Sequence, residues 1–111
     1  MKLLQVSEGQ KKIFEAIGRN GCPEICVSIQ TPGNEWRGFS DVYYQLVAQK
    51  RIPWATYAKL TNYLIENGFI EKKTAPVKGR DVIFLRLTEL GQKLVTTYLK
   101  AQDKSLADLK L

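Results

Sequence analysis

Thr56, Lys59 and Asn62 stand three residues apart in the segment PWATYAKLTNYLIENGFI, Pro53 to Ile70, with Ala55 and Tyr63 beside them. At about 3.6 residues per turn, that spacing gathers a methyl-bearing hydroxyl, an ammonium and an amide on one side of a helix. Such a set suits reading by contact rather than bond making. An amide can bridge the edge of an adenine, an ammonium can reach a guanine or a phosphate, and a threonine methyl can meet the methyl of a thymine. Cations cluster around the same stretch: Lys50, Arg51, Lys59, Lys72, Lys73, Lys78 and Arg80 stand against only Glu66 and Glu71. Most of the net charge of +6 carried by the 111 residues therefore lies in one segment, which favours a polyanionic partner.

Other chemistry finds little to work with. There is no histidine, and Cys22 and Cys26 stand four apart with no further ligands at metal-binding spacing. They read as reduced, half-buried thiols rather than a zinc site, with a redox pair as the weaker alternative. No phosphate-cradling glycine motif, paired carboxylates or activated nucleophile is recognisable, so neither an enzyme nor a cofactor is expected. With 44% hydrophobic and 25% charged residues, the chain reads as one globular domain with a single core. No apolar run approaches the roughly 18 to 20 residues of a membrane span, and Met1-Lys2-Leu3-Leu4 is too short for a signal, so a cytoplasmic protein without a membrane partner is expected.

The elements that must position the reading face can be taken in order. Ser7-Glu8-Gly9-Gln10 is a capping box ahead of Ile13, Phe14 and Ile17, so a helix should run to Asn20-Gly21. Glu24 to Gln30, EICVSIQ, alternates Ile25, Val27 and Ile29 with smaller residues and predicts a short strand. Thr31 to Gly38 is a loop whose Trp36, with Phe39 after it, should fold back on the body. Ser40-Asp41 predicts an N-cap for a helix carrying Val42, Tyr43, Leu46 and Val47, ending near Lys50.

A helix from Pro53 to Asn67 follows, with Tyr57, Leu60, Thr61 and Leu64 as its core stripe and Asn67-Gly68 as its stop. Trp54 falls nearer that stripe than the open face. Phe69 to Thr74 and Asp81 to Leu87 predict two strands around a loop of Ala75 to Arg80, with Lys78 and Arg80 at the tip. Thr88 should cap a last helix bearing Leu90, Leu94, Val95, Tyr98 and Leu99 and reaching about Gln102. Residues 103–111, with a weak Ser105 cap and Leu106, Leu109 and Leu111, form a tail with three readings left open: an added helical turn, a dimer contact or a frayed end.

Helix, strand, helix, turn, helix, hairpin, helix is an α+β order, that of a winged helix-turn-helix. Two motifs carry a closer resemblance. Leu64-Ile65-Glu66-Asn67-Gly68-Phe69-Ile70 resembles the junction between recognition helix and wing in bacterial and archaeal regulators of the MarR and PadR types, and Leu87-Thr88-Glu89-Leu90-Gly91 resembles the run that opens their next helix. The likeness spans about Ser7 to Leu99. It implies a minimal regulator of the kind found on plasmids, in phages and in archaeal viruses. The long helices that build the dimer and effector pocket of full MarR proteins have no counterpart here, so no small-molecule ligand is evident. Where such regulators often hold Ser, Thr and Arg early in the recognition helix, this chain has Thr56, Ala58 and Lys59.

The expected function is sequence-specific binding of double-stranded DNA by a homodimeric transcriptional regulator, with residues 1–102 as the DNA-binding domain. The expected contacts are Thr56, Lys59 and Asn62 in the major groove with Tyr63 at its edge, Lys50 and Arg51 just ahead of that helix, and Lys72, Lys73, Lys78 and Arg80 of the wing on phosphate or minor groove. Two alternatives stay open: a winged helix that docks a protein through the Trp36 and Phe39 loop or Tyr43-Tyr44, and an accessory module of plasmid partition or replication. An aromatic-studded sheet of the sort that reads single strands is not visible in the sequence.

Overall fold

The computed structural model describes residues 8–47 and 52–109. Their elements are α1 (Glu8–Ile17), α2 (Cys22–Ile29), β1 (Arg37–Gly38), α3 (Phe39–Val42), α4 (Trp54–Glu66), β2 (Ile70–Val77), β3 (Arg80–Leu87) and α5 (Glu89–Leu109). The chain leaves α3 through a π-helical turn at Tyr43–Val47. The three strands form one antiparallel sheet in the order β1-β3-β2. The expected α+β class holds, and the departures from the expected elements are local.

The largest departure is at residues 24–30, expected as a strand and found as helix α2. Ile25, Val27 and Ile29 do alternate, but Cys22, Ile25, Cys26 and Ile29 also fall at i, i+3, i+4 and i+7. All four are buried, whereas Val27 is only half-buried. Counting the cysteines as apolar tips the pattern to the helical period. Pro23 in the first turn suits that start. The first strand lies instead at Arg37–Gly38, in the stretch expected as loop, where it pairs Arg37 with Leu85 and Gly38 with Phe84. α3 likewise begins at Phe39, with Gly38 rather than Ser40 as its cap residue. The expected Ser7 cap of α1 lies outside the described residues.

α2 is the pivot of the core. Its apolar side meets Ile13 and Ala16 of α1, Tyr57 and Leu64 of α4, Leu85 and Leu87 of β3, and Leu94 and Val95 of α5 in one buried cluster. This arrangement leaves the far sides of α4 and the hairpin free.

The two motifs noted in the sequence turn out to be one joint. α4 stops in a pair of bonds in which the Phe69 N–H donates to the Leu64 carbonyl at 2.9 Å and the Gly68 N–H to that of Ile65 at 3.1 Å. This is a Schellman motif with Gly68 in the left-handed position at φ 83° and Leu64 and Phe69 both buried beside it. Thr88 then ties the start of α5 to the same spot. Its N–H donates to the Phe69 carbonyl at 3.0 Å and its hydroxyl to the Gly68 carbonyl, while the same oxygen caps α5 by accepting from the Gly91 N–H at 3.1 Å. A Cβ on Gly91 would lie 2.1 Å from the Phe69 carbonyl oxygen, so only glycine lets α5 cross here.

The hairpin is longer and tighter than expected. Residues 75–77 and 80, read as loop, belong to the strands, and the turn is Lys78-Gly79 alone, with φ of 52° and 79°. Two consecutive left-handed residues are the signature of a type I′ turn, whose twist matches the strands it joins. Pro76 is tolerated because β2 is an edge strand. At the other end of the domain, α5 passes the expected stop near Gln102 and runs to Leu109.

Candidate nucleic-acid interface

α4 is fixed from behind by rings. Tyr57 is fully buried, and its hydroxyl donates to the Phe39 carbonyl at 2.8 Å, while the Tyr43 hydroxyl donates to that of Ile52 at 3.0 Å. Ring centres of Phe39 and Tyr57 lie 4.7 Å apart, those of Tyr43 and Trp54 4.9 Å, and those of Phe39 and Trp54 5.3 Å. This packing sets the corner between α3 and α4. Tyr57, Thr61 and Leu64 are buried and Leu60 half-buried, as the stripe predicts. Trp54 packs edge-on in this cluster, as expected, yet remains 42% exposed.

With that side occupied, the opposite side of α4 is open. Ala55, Lys59, Asn62 and Glu66 are exposed along its crest. Thr56, also exposed, sits on the flank that faces the α1–α2 turn and lines a shallow cleft with Gly21, Glu24, Leu60 and Tyr98. Tyr63 is half-buried on the same flank, under the Arg19 guanidinium 4.1 Å from its ring centre. The structure thus brings Thr56, Lys59, Asn62 and Tyr63 onto one helix, with the last at its edge. Lys50 and Arg51 lie outside the described residues.

Strand register sorts the hairpin cations. Directly opposed residues of an antiparallel pair share a face. Ile70 and Leu87, Lys72 and Leu85, Thr74 and Ile83, and Pro76 and Asp81 therefore share the core-side face. Glu71 and Arg86, Lys73 and Phe84, Ala75 and Val82, and Val77 and Arg80 share the outer one. Lys72, Lys73, Lys78 and Arg80 are all exposed, but they do not form one cluster: Lys73 and Arg80 are on the outer face, Lys72 is on the other, and Lys78 is in the turn.

Two cations beside this surface, Arg19 and Arg86, escaped the sequence reading, and Trp36 was read as packing or a protein contact rather than as a seat for cations. Arg19 gave no signal beyond a charge in a turn. Arg86 was hidden in a strand, where it forms a two-pronged bond to the Glu71 carboxylate at 2.7 and 3.1 Å. Trp36 folds back as expected, and its ring lies beneath two cations, with Arg86 at 4.3 Å and Lys73 at 4.5 Å from its centre. With Phe84 half-buried beside them, the outer sheet face carries aromatic rings after all.

Cys22 and Cys26 point into the core rather than toward this face and are both free thiols. Burial pushes Cys22 up to about 11, against a smaller lowering by Arg19, and burial likewise raises Cys26. Both stay protonated at neutral pH, a poor state for ligating metal or attacking a substrate. No helix among the described residues is long and apolar enough to cross a membrane.

No protein-family model and no curated protein matches the chain. Among solved structures, SSV1 F-93 is similar at 25% identity and a TM-score of 0.53, over 77% of this chain and 90% of its own. The adhesin competence repressor AdcR from Streptococcus pyogenes is similar at 15% identity and a TM-score of 0.55, over 98% of this chain and 66% of its own. TA0346 from Thermoplasma acidophilum, described as a transcriptional regulator, is similar at 14% identity and a TM-score of 0.56, over 93% of this chain and 95% of its own. The chain shares the winged helix-turn-helix fold of these structures, with α3 and α4 in the order of the helix pair and β2–β3 in that of the wing.

Proposed function

We propose that the chain is a transcriptional regulator that binds double-stranded DNA with sequence preference, placing α4 in the major groove and the hairpin on the flanking backbone or minor groove. The observation that carries this reading is the open crest of α4, where Lys59 and Asn62 face solvent on a helix clamped from behind by Tyr57, Thr61 and Leu64. Asn62 reads an adenine, Lys59 a guanine or a phosphate, and Thr56 offers its methyl from the flank. Tyr63 and the wing residues Lys72, Lys73, Lys78 and Arg80 contribute at the edges, and Lys50 and Arg51 precede the helix in the chain. A regulatory role is also supported by the fold shared with AdcR and TA0346.

The test is selection of bound duplexes from a random library, followed by titration of the selected site and a scrambled control. Asn62→Ala should weaken the selected site by roughly 5- to 150-fold, the effect of about 1–3 kcal/mol per bidentate base contact, and leave the scrambled duplex unaffected. The logarithm of affinity should fall with that of salt at a slope of about −0.9 per phosphate neutralised. Equal binding to every duplex would refute base reading, and a flat salt response would refute DNA binding altogether.

The protein acts as a homodimer on half-sites about one helical turn apart, because one helix reads only a few base pairs. On α5, Leu94 is committed to the core, Tyr98 is half-buried and Leu99 is 41% exposed on a helix that continues to Leu109. The side chains of Leu106 and Leu109, and Leu111, lie outside the described residues. A single-subunit mass by light scattering at binding concentration, with full affinity for one half-site, would refute the dimer. A second reading, docking of a protein partner, is favoured by Tyr44 and Trp54, which stack at 6.2 Å and are 70% and 42% exposed. It predicts indifference to all DNA.

A further inference from the structure

The four wing cations look equivalent in the sequence, but the structure separates them. On the core-side face, beyond the buried Ile70, Leu85 and Leu87, the paired strands carry Lys72 and Asp81, which offset each other. The outer face carries Lys73, Arg80 and Arg86 against Glu71 alone. Among the described residues Arg86 is neutralised by its bond to Glu71, whereas Lys73 has no carboxylate within ion-pairing distance. The Lys73 ammonium lies 4.5 Å from the centre of the Trp36 ring and 5.9 Å from that of Phe84. A lysine in water samples many rotamers, and ordering it on contact costs side-chain entropy. One already seated on an indole has lost much of that freedom while keeping its charge and its donors.

We infer that the DNA backbone crosses the outer face of the hairpin, with Lys73 as a preorganised phosphate contact and Trp36 as the residue that positions it; this rests on the DNA-binding reading above. Arg80, on the same face nearer the tip, continues the track toward Lys78 in the turn. Lys72 stands on the other face, opposite Leu85, and its contribution at the edge is smaller than that of Lys73. The ligand here is phosphate rather than an unstacked base. The Trp36 ring is half-buried and already holds Lys73 and Arg86 against it, so a base stacking there would compete with two cations.

The experiment is a salt series of fluorescence-anisotropy titrations on a labelled duplex, with wild type, Lys73→Ala, Lys72→Ala, Trp36→Leu, Trp36→Phe and the double variant Trp36→Leu/Lys73→Ala. Lys73→Ala should weaken binding about fivefold near physiological salt and reduce the salt slope by about 0.9, the share of one phosphate. Lys72→Ala should change affinity less than about twofold. Trp36→Leu should lose part of the Lys73 effect and add nothing to it in the double variant, and Trp36→Phe, which keeps a ring, should restore most of it. A merely structural tryptophan would give additive losses and an unchanged slope. Circular dichroism separates misfolding from lost contact, and Trp36→Phe carries the test if Trp36→Leu is unstable. If Lys72→Ala costs as much as Lys73→Ala, or the Trp36→Leu and Lys73→Ala losses are additive in the double variant, the assignment of the face is overturned while DNA binding stands. If the wild type binds no duplex at any salt, both readings fall together.

Discussion

α4 and the β2–β3 hairpin both turn cations to solvent, but they are held by different physics. α4 is seated on a wall of buried groups, Tyr57, Thr61 and Leu64, with the rings of Phe39 and Tyr43 behind it, so its free face is aimed by packing. The hairpin is buried only at its base, through Ile70, Leu85 and Leu87. β1 reaches no further along β3 than Phe84, and from there to the tip the wing is two strands held by their ladder and a tight turn. A face aimed by packing is as stiff as the core, whereas a face aimed by register depends on backbone pairing and on a few surface contacts such as Trp36 with Lys73. The first arrangement suits base reading, which needs fixed geometry, and the second suits phosphate contact, which tolerates adjustment.

This contrast can be broken from either end. Tyr57→Ala should have the largest effect, about 3–5 kcal/mol of stability in a denaturant melt, because it opens a cavity among the rings and leaves the Phe39 carbonyl without its donor. Gly91→Ala acts where the two regions join. Its methyl would sit 2.1 Å from the Phe69 carbonyl oxygen, and forcing α5 off the sheet should cost about 3 kcal/mol in the same measurement. Gly79→Val strains only the turn, at φ 79°, and should cost about 1–2 kcal/mol while the amides of α4 keep their protection from hydrogen exchange. Glu71→Gln removes the bridge to Arg86, whose side chains are 34% and 45% exposed, and should shift stability by under about 1 kcal/mol. Loss of α4 protection in Gly79→Val would show that the wing and the helix are one cooperative unit, and the contrast would fail.

The site was legible in proportion to how local its determinants are. The core stripe of α4 could be read because Tyr57, Leu60, Thr61 and Leu64 repeat within one helix, and its stop because Asn67-Gly68 announces a left-handed residue. Residues 24–30 were misread because Ile25, Val27 and Ile29 satisfy the strand period, and the helical period emerges only when Cys22 and Cys26, buried in the structure, are counted as apolar. The split of Lys72 from Lys73 was out of reach until the hairpin register was known, since a one-residue slip exchanges the faces.

By itself the sequence determined the α+β class, the core stripe of α4, the basic character of the wing and the left-handed stop at Asn67-Gly68. Each of these depends on neighbours within a few residues or on side-chain type alone. Only the tertiary structure decided that α2 is a helix, that Trp36 lies under Lys73 and Arg86, that Arg19 covers Tyr63, and that the wing cations divide between two faces. Those facts depend on pairs far apart in the chain, and for such pairs the local pattern leaves more than one arrangement of similar free energy until the core is packed.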